Sequence, residues 1–396
     1  MTTIEMQPPR ATTSPWNWLR KNLFNSWGNI ILTILTAWLL YTLLRTVADW
    51  ALTEARWGVI RANLTLFMIG QYPRGQLWRI WLSIYLLAGL VGLSWGVWKL
   101  AVRDFAYIAL GTGAGLAVIT LAMGSSAWIY WLLVDATIGL LFLAGQRLQR
   151  ASLVSLLGWV LYFPVALLLI AGARWIPGLP PVELSLWGGL LLTLTLTVVG
   201  NLGAMPLGVI LALGRRSKLP VVRIFSTSYI ELIRGVPLIT ILYMADILLP
   251  LFLPMDVRPD RVIRAMVGFI LFEAAYQAEN VRGGLQSIPN GQYEAAYALG
   301  LRSSLVIGLI ILPQALRAVI PALLNSFISL FKDTSLVAII GLFDLLRIGR
   351  SVLAQTDWLG THREVFLFAF LVYLGFSLAF SYGSRRIESA LGVGKR

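Results

Sequence analysis

Long apolar runs separated by short polar connections dominate the chain, and a membrane-spanning helix needs about 20 mostly apolar residues. On that pattern the sequence predicts spans near Trp27–Thr46, Ile80–Leu100, Phe105–Met123, Ala127–Ala144 and Leu153–Ala171. A second set is predicted near Leu186–Leu213, Tyr229–Leu253, Val262–Val281, Ala318–Leu342 and Val365–Tyr382. The expected fold is an all-α integral membrane protein of about ten transmembrane helices, because only structures that satisfy their own backbone polar groups cross lipid. The connection Gly172–Glu183, which carries Pro177, Pro180 and Pro181, separates the two sets. Residues 1–180 then form a polar tail plus a five-helix extension, and residues 181–396 a second five-helix group.

Polar residues are rare in the first set of spans and fall at helical spacing in the second. Glu273, Tyr276, Gln277 and Asn280 stand at i, i+3, i+4 and i+7, which places them on one helical face, with Glu279 beside them. Asn325, Ser329 and Lys332 repeat the spacing, flanked by Ser326 and Asp333. Two polar stripes inside lipid-embedded helices imply a protein-lined or watery interior and mark a candidate translocation pathway. Adjacent on a helix, Lys332 and Asp333 diverge and each needs another partner, with Glu273, Glu279 and Asp246 as candidates for Lys332. Either a structural salt bridge or direct substrate contact accounts for the pair.

In the first set, Gly92 with Gly96 and Gly111 with Gly115 have the spacing that permits close helix approach. Asp135 stands near the middle of its span, where protonation or pairing with a neighbouring helix is expected.

One stretch, Glu294 to Pro313, interrupts the apolar pattern and reads as facing water. Pro289, Asn290 and Gly291 suit a turn into a helix, and Gly300 suits its end. The result is a short helix, marginal by itself and in need of something to dock on. Tyr293, Ala296, Tyr297 and Gly300 share one face, while Ala295 and Ala298 keep the flanks thin. Such a helix either sinks into a groove on a partner or lies on the lipid surface.

Composition strengthens the membrane assignment: 58% of residues are hydrophobic and 13% charged, with a mean hydropathy of +0.77. There is no cysteine and a single histidine, His362, so disulfides, thiolate sites and histidine clusters are excluded. The net charge of +14 sits mostly at the ends of apolar runs, which points to anionic membrane lipid and topology and not to nucleic acid. Lys and Arg are more numerous on the connections shared with the N-terminus, among them Arg215, Arg216, Lys218 and Arg302. Arg261, Arg347 and Arg350 fall on the opposite side. Both termini and the stretch from Glu294 are therefore expected in the cytoplasm. The segment Met1–Ser26 lacks a clear cleavage site and is read as leading into a retained first span.

The sequence Glu294-Ala295-Ala296, followed by Gly300, Ile310, Leu312 and Pro313, matches the EAA-loop signature of ABC importer permeases. Tyr276-Gln277-Ala278-Glu279, Arg234-Gly235-Val236-Pro237 and Lys332-Asp333-Thr334-Ser335 resemble the polar amino-acid uptake branch. The likeness covers about Leu186 to Glu388, and the five-helix extension resembles the longer M-type permease subunits of general L-amino-acid transporters. Asn280 departs from the bulkier apolar residue common in the family, and Asn290 from its frequent lysine.

The resemblance implies a type I importer core in a bacterial inner membrane, coupled to ABC ATPase subunits through Glu294, Ala295, Ala296, Tyr297, Gly300, Leu312 and Pro313. Glu294 would pair with a basic residue of the ATPase, and Gly300 would supply a turn. It also implies a second, related permease chain, an extracytoplasmic solute-binding protein and an amino-acid substrate. No catalytic residue, metal site or cofactor is expected in this chain. It lacks GxxxxGK[ST], so ATP and magnesium are expected on the separate ATPase. The alternative is an ion-coupled secondary transporter using Glu273, Asp246 and Lys332, against which stands the lack of inverted-repeat symmetry between the halves.

Overall fold

The computed structural model describes residues 14–99, 102–254 and 257–391. The polar tail with Arg10, and Lys395 and Arg396 at the other end, lie outside them. The described residues divide into two compact units, to Gly58 and from Val59. The first holds α1 (Pro15–Asn22) and α2 (Trp27–Thr53). Ser26 caps α2 by accepting from the Asn29 backbone N–H at 3.3 Å. That helix is apolar all round and has no buried residue, the pattern of a surface adapted to lipid.

In the second unit, α3 (Gly58–Ile69) precedes α4 (Leu77–Trp98), α5 (Arg103–Ala122), α6 (Ala127–Arg147) and α7 (Ala151–Ala171). Then follow α8 (Gly189–Arg215), α9 (Pro220–Arg234), α10 (Leu238–Leu248) and α11 (Arg261–Ser287). The chain continues through α12 (Asn290–Ala298), α13 (Ser303–Leu305), a π-helical stretch Val306–Ile311 and α14 (Leu312–Asp333). A 3-10 segment Thr334–Ala338, α15 (Leu345–Leu353) and α16 (His362–Leu391) complete it.

Among the described residues, 8 helices are long and apolar enough to cross a membrane, and 9 if a bent pair is one span. The 27-residue α11 has the length as well, but Glu273, Glu279 and Arg282 make it more polar.

Two spans differ from the sequence reading. The run Tyr229–Leu253 is not continuous: α9 and the helical segment to Phe252 meet at 109°. Pro237 cannot donate a backbone N–H and biases Val236 away from helical geometry, so α9 stops at Arg234. The predicted span Ala318–Leu342 begins earlier, at Ser303, and its regular α-helix ends at Asp333. Consequently Ile310–Pro313 do not continue the water-facing stretch. Val306 and Ile311 are fully buried, and Pro313, which has no N–H to donate, follows directly on the π-helical stretch Val306–Ile311, where the regular α-helical ladder is already interrupted.

The glycine pairs also separate. A Cβ on Gly92 or Gly96 would collide with the backbone of α6 at Ile138 and Phe142, so these two residues let α4 and α6 touch. Gly111 and Gly115 face open space, and it is Gly113 that makes the close approach, with its Cα under the Asp135 carboxylate. Asp135 Oδ1 has no hydrogen-bond partner.

Two ends of the bundle can be told apart by what they hold. At one end α12 packs near Arg216 and Leu285. At the other, Gly189 pairs with Asp344 and Gly70 with Trp187 in isolated bridges. There α3 contributes Val59, Ile60 and Phe67 to a core shared with Leu345, Ile348, Val352 and Val365. The sequence reading assigned no helix to α3, which is too short to span.

Candidate functional site

The short helix expected after Pro289 is present as α12, with Pro289 at its N-cap. Gly300 follows in the left-handed region at φ +75°, a conformation that a Cβ disfavours. Ala296 is 2% exposed and belongs to a core with Ala278, Val281, Leu285, Val306 and Ile311. Glu294, Ala295, Ala298 and Leu299 are exposed, and Tyr297 is 47% exposed. Within α12, Ala296 thus anchors the helix while Glu294, Ala295 and Tyr297 stay exposed; Ile310 and Leu312 of the motif pack against the same core. Of the shared face expected from spacing, Tyr293 and Ala296 turn inward while Tyr297 and Gly300 do not.

The anchoring has a polar component. Arg216 Nη1 donates to the Leu285 carbonyl at 3.4 Å and to the Tyr293 hydroxyl at 3.3 Å, with its guanidinium 5.9 Å from the Tyr293 ring centre. Tyr297 and Ser303 hydroxyls are 3.4 Å apart, and Gln314 reaches Gln292 Oε1 at 3.4 Å. These contacts join α12 to α8, α11 and α14.

Beside α12 lies a charge cluster centred on Glu279. Arg215 of α8 donates to its Oε1 at 2.6 Å, Arg282 to its Oε2 at 2.8 Å, and Arg234 approaches Oε2 at 3.7 Å. The second Arg215 nitrogen holds Glu231 at 2.8 Å. Arg234 also lies over the Tyr276 ring at 5.5 Å. Glu279 is therefore committed, and Asp246 is committed to Arg264 at 3.0 Å. Neither is the partner that the sequence reading offered to Lys332. That residue is exposed, with no ion pair among the described residues.

Deeper in α11, Glu273 and Gln277 are buried at 5% and 2% exposure. Gln277 Nε2 donates to the Asn201 carbonyl at 3.1 Å, and Asn280 Nδ2 reaches the Ser326 hydroxyl at 3.4 Å. The Glu273 carboxyl lies beside the Ser326 and Gln277 side chains, while its Oε1 and Gln277 Oε1 have no hydrogen-bond partner among the described residues. Close packing permits it: a Cβ on Gly208 would stand 2.9 Å from the Gln277 Cβ. Asn201 was missed by the sequence reading, although Thr193, Thr197 and Asn201 at i, i+4 and i+8 mark a polar face on α8. On α14 the predicted stripe is the open one: Asn325, Ser329 and Lys332 are exposed, whereas Ser326 and Asp333 are half-buried.

At the opposite end, Asp344 is fully buried and caps α15, accepting from the Leu346 and Arg347 backbone N–H groups at 3.0 and 3.2 Å. Burial pushes its carboxyl up to about 6, against the pull of those two donors.

Residues 204–392 match the family described as binding-protein-dependent transport system inner membrane component. The chain is 42% identical to the inner membrane amino-acid ABC transporter permease protein YhdY of Escherichia coli K12, over 96% of this chain and 93% of the relative. It is 36% identical to the glutamate/glutamine/aspartate/asparagine transport system permease protein BztC of Rhodobacter capsulatus, over 98% and 97%. Among solved structures, a crystal structure of an amino acid ABC transporter with histidines overlays 49% of this chain and 90% of its own, at 30% identity and a TM-score of 0.43.

Proposed function

The chain belongs to the amino-acid ABC transporter permeases, the multi-pass inner membrane components of binding-protein-dependent importers, and from that membership we propose how it works. α12 is the element through which a separate ATPase subunit drives this chain. The observation that supports this is its division of labour: Ala296 is locked into the core, while Glu294, Tyr297 and Leu299 stand exposed beside the turn at Gly300. A thin helix with an exposed carboxylate suits insertion into a cleft that carries a basic residue. Movement of the ATPases on binding ATP pulls on α12, and its ties to Arg216, Leu285 and Gln314 pass the movement to α8, α11 and α14.

The exposed polar stripe of α14 and the unfilled polar atoms on α11 fit a pathway completed by a second, related permease chain. We assign the solute as an amino acid delivered by an extracytoplasmic binding protein, with α12 and both termini cytoplasmic. ATP and magnesium then act on the ATPase and not on this chain. Residues 181–396 form the working core and residues 1–180 its extension.

The test is Glu294→Lys in the complex reconstituted with its ATPase, partner permease and binding protein. Membrane insertion should be retained, and uptake and binding-protein-stimulated ATP hydrolysis lost. Normal uptake by that variant would sink the coupling assignment.

A further inference from the structure

α15 carries an unused cationic face at the end of α14 remote from α12. Leu345, Ile348 and Val352 are 0%, 3% and 0% exposed and pack into the core shared with Phe67 and Val365, which fixes the rotation of the helix. Arg347, Arg350 and Ser351, at i, i+3 and i+4, therefore look the other way. They line an open cleft of about 450 Å³ together with Ala338 and Phe343.

The cleft is organised for an anion. The Arg347 guanidinium lies over the Phe343 ring at 4.6 Å and donates through Nη1 to the Ala338 carbonyl, so its position is fixed before any ligand arrives. Arg350 is exposed and makes no hydrogen bond or salt bridge among the described residues, although the buried Asp344 carboxylate acts on it through space. Outside the lining, Arg261 packs over Gly341, where a Cβ would stand 2.8 Å from Arg261 Nη1 and 3.9 Å from Arg347 Nη1. No carboxylate lines the cleft. Asp344 is fully buried and its oxygens are taken by the backbone N–H groups of α15.

We propose that this cleft is a receiving site for a net-anionic, dicarboxylic amino acid on its way into the permease; the inference rests on the amino-acid permease reading and narrows it. A guanidinium fork matches a carboxylate in plane and in hydrogen-bond geometry, and Arg347 is pre-organised to offer one. Phe343 and Ala338 supply apolar surface for the methylenes of the solute. Two lining cations, Arg347 and Arg350, with no lining acid repel the ammonium of a zwitterion, whereas a second carboxylate offsets it. The volume lies in the usual range of about 300–1,000 Å³ for small-molecule sites.

The experiment uses the complex of this chain with its partner permease and ATPase in nanodiscs, without binding protein. Equilibrium binding of radiolabelled L-glutamate and of its amide, L-glutamine, is measured at low and high salt. Glutamate should bind at least about tenfold more tightly than glutamine and weaken with salt, and Arg350→Gln should cost glutamate about tenfold in affinity. Arg350→Lys, which keeps the charge, should cost less. Unchanged glutamate binding in Arg350→Gln, equal losses for glutamate and glutamine, or no glutamate binding by the native complex would each overturn the site. If binding behaves as expected but the native complex shows no ATP-dependent uptake, the permease reading fails and not this one. Intact uptake with glutamate binding indifferent to Arg350 fails this one only.

Discussion

Arg215 Nη1 stands 2.6 Å from Glu279 Oε1, joining α8 to α11 at the end of the bundle where α12 is anchored. Arg282 and Arg234 crowd the other carboxylate oxygen. One acid thus holds three cations from three helices, with its side chain only 16% exposed. Removing it leaves the arginines facing one another in a half-desolvated site, which costs more than the loss of a surface pair. Glu279→Gln is expected to destabilise the protein by about 2 kcal/mol, read as a lower Tm in detergent. Glu231→Gln removes a carboxylate that is 62% exposed and should shift stability by no more than about 0.5 kcal/mol.

This cluster also shows how far the sequence could be read. Spacing placed Glu273, Gln277 and Asn280 on one face of α11, and the short helix at Glu294 with its glycine stop was legible from turn chemistry. Arg282, at i+3 from Glu279, was within reach of the spacing rule, but the cross-helix partners were not, because Arg215 lies 64 positions away and an ion pair across helices has no periodicity. The bend between α9 and α10 was legible in principle: Gly235-Val236-Pro237 interrupts the apolar run, but hydropathy alone passes over it. Of the two glycine spacings, only one marks a contact, since GxxxG states what a helix permits and not which face meets a neighbour.

The glycines therefore supply a contrast. Gly96→Ala would drive a methyl group into the backbone of α6 at Phe142 and Gly145. Loss of helix contact in the extension should lower stability by about 1–3 kcal/mol. Gly111→Ala and Gly115→Ala meet open space and improve helix propensity, so thermal melts should show no loss, or a gain of up to about 1 kcal/mol.

Asp344 makes stability depend on pH. Its carboxyl is raised from 3.8 to about 6 in the folded protein, so the folded state holds its proton more tightly than the unfolded state. The stabilisation is then complete below about pH 4 and is lost as pH rises through about 6, a difference of about 3 kcal/mol. Asp344→Asn keeps a side-chain oxygen for capping α15 and cannot ionise. Melting curves from pH 4.5 to 7.5 should fall for the native protein relative to this variant, and parallel curves would refute the assignment.

Gly300→Ala tests the turn that follows α12. At φ +75° a Cβ is strained by about 1–2 kcal/mol, yet nothing lies within 4 Å of the position, so the effect comes from the backbone and not from a clash. Gly300→Asn, which tolerates the left-handed region better, should recover part of the loss. The readout is binding-protein-stimulated ATP hydrolysis, which should fall in the order Gly, Asn, Ala.

The last prediction concerns the face of α14 that this chain leaves open. Asn325, Ser329 and Lys332 are exposed, whereas Leu330 and Phe331 next to them are 1% and 0% exposed. A polar stripe is costly against lipid, so it needs water or a second chain in front of it. Because the native sequence contains no cysteine, each position can be converted singly in an otherwise thiol-free protein. Asn325→Cys, Ser329→Cys and Lys332→Cys should react with a charged, membrane-impermeant maleimide in the assembled transporter, and Leu330→Cys should not. Protection by substrate or by trapping the ATPases with a non-hydrolysable nucleotide would tie the stripe to the transport cycle. Uniform inertness of all three positions, with no disulfide formed to cysteines on the partner permease, would place the stripe against lipid and remove α14 from the pathway.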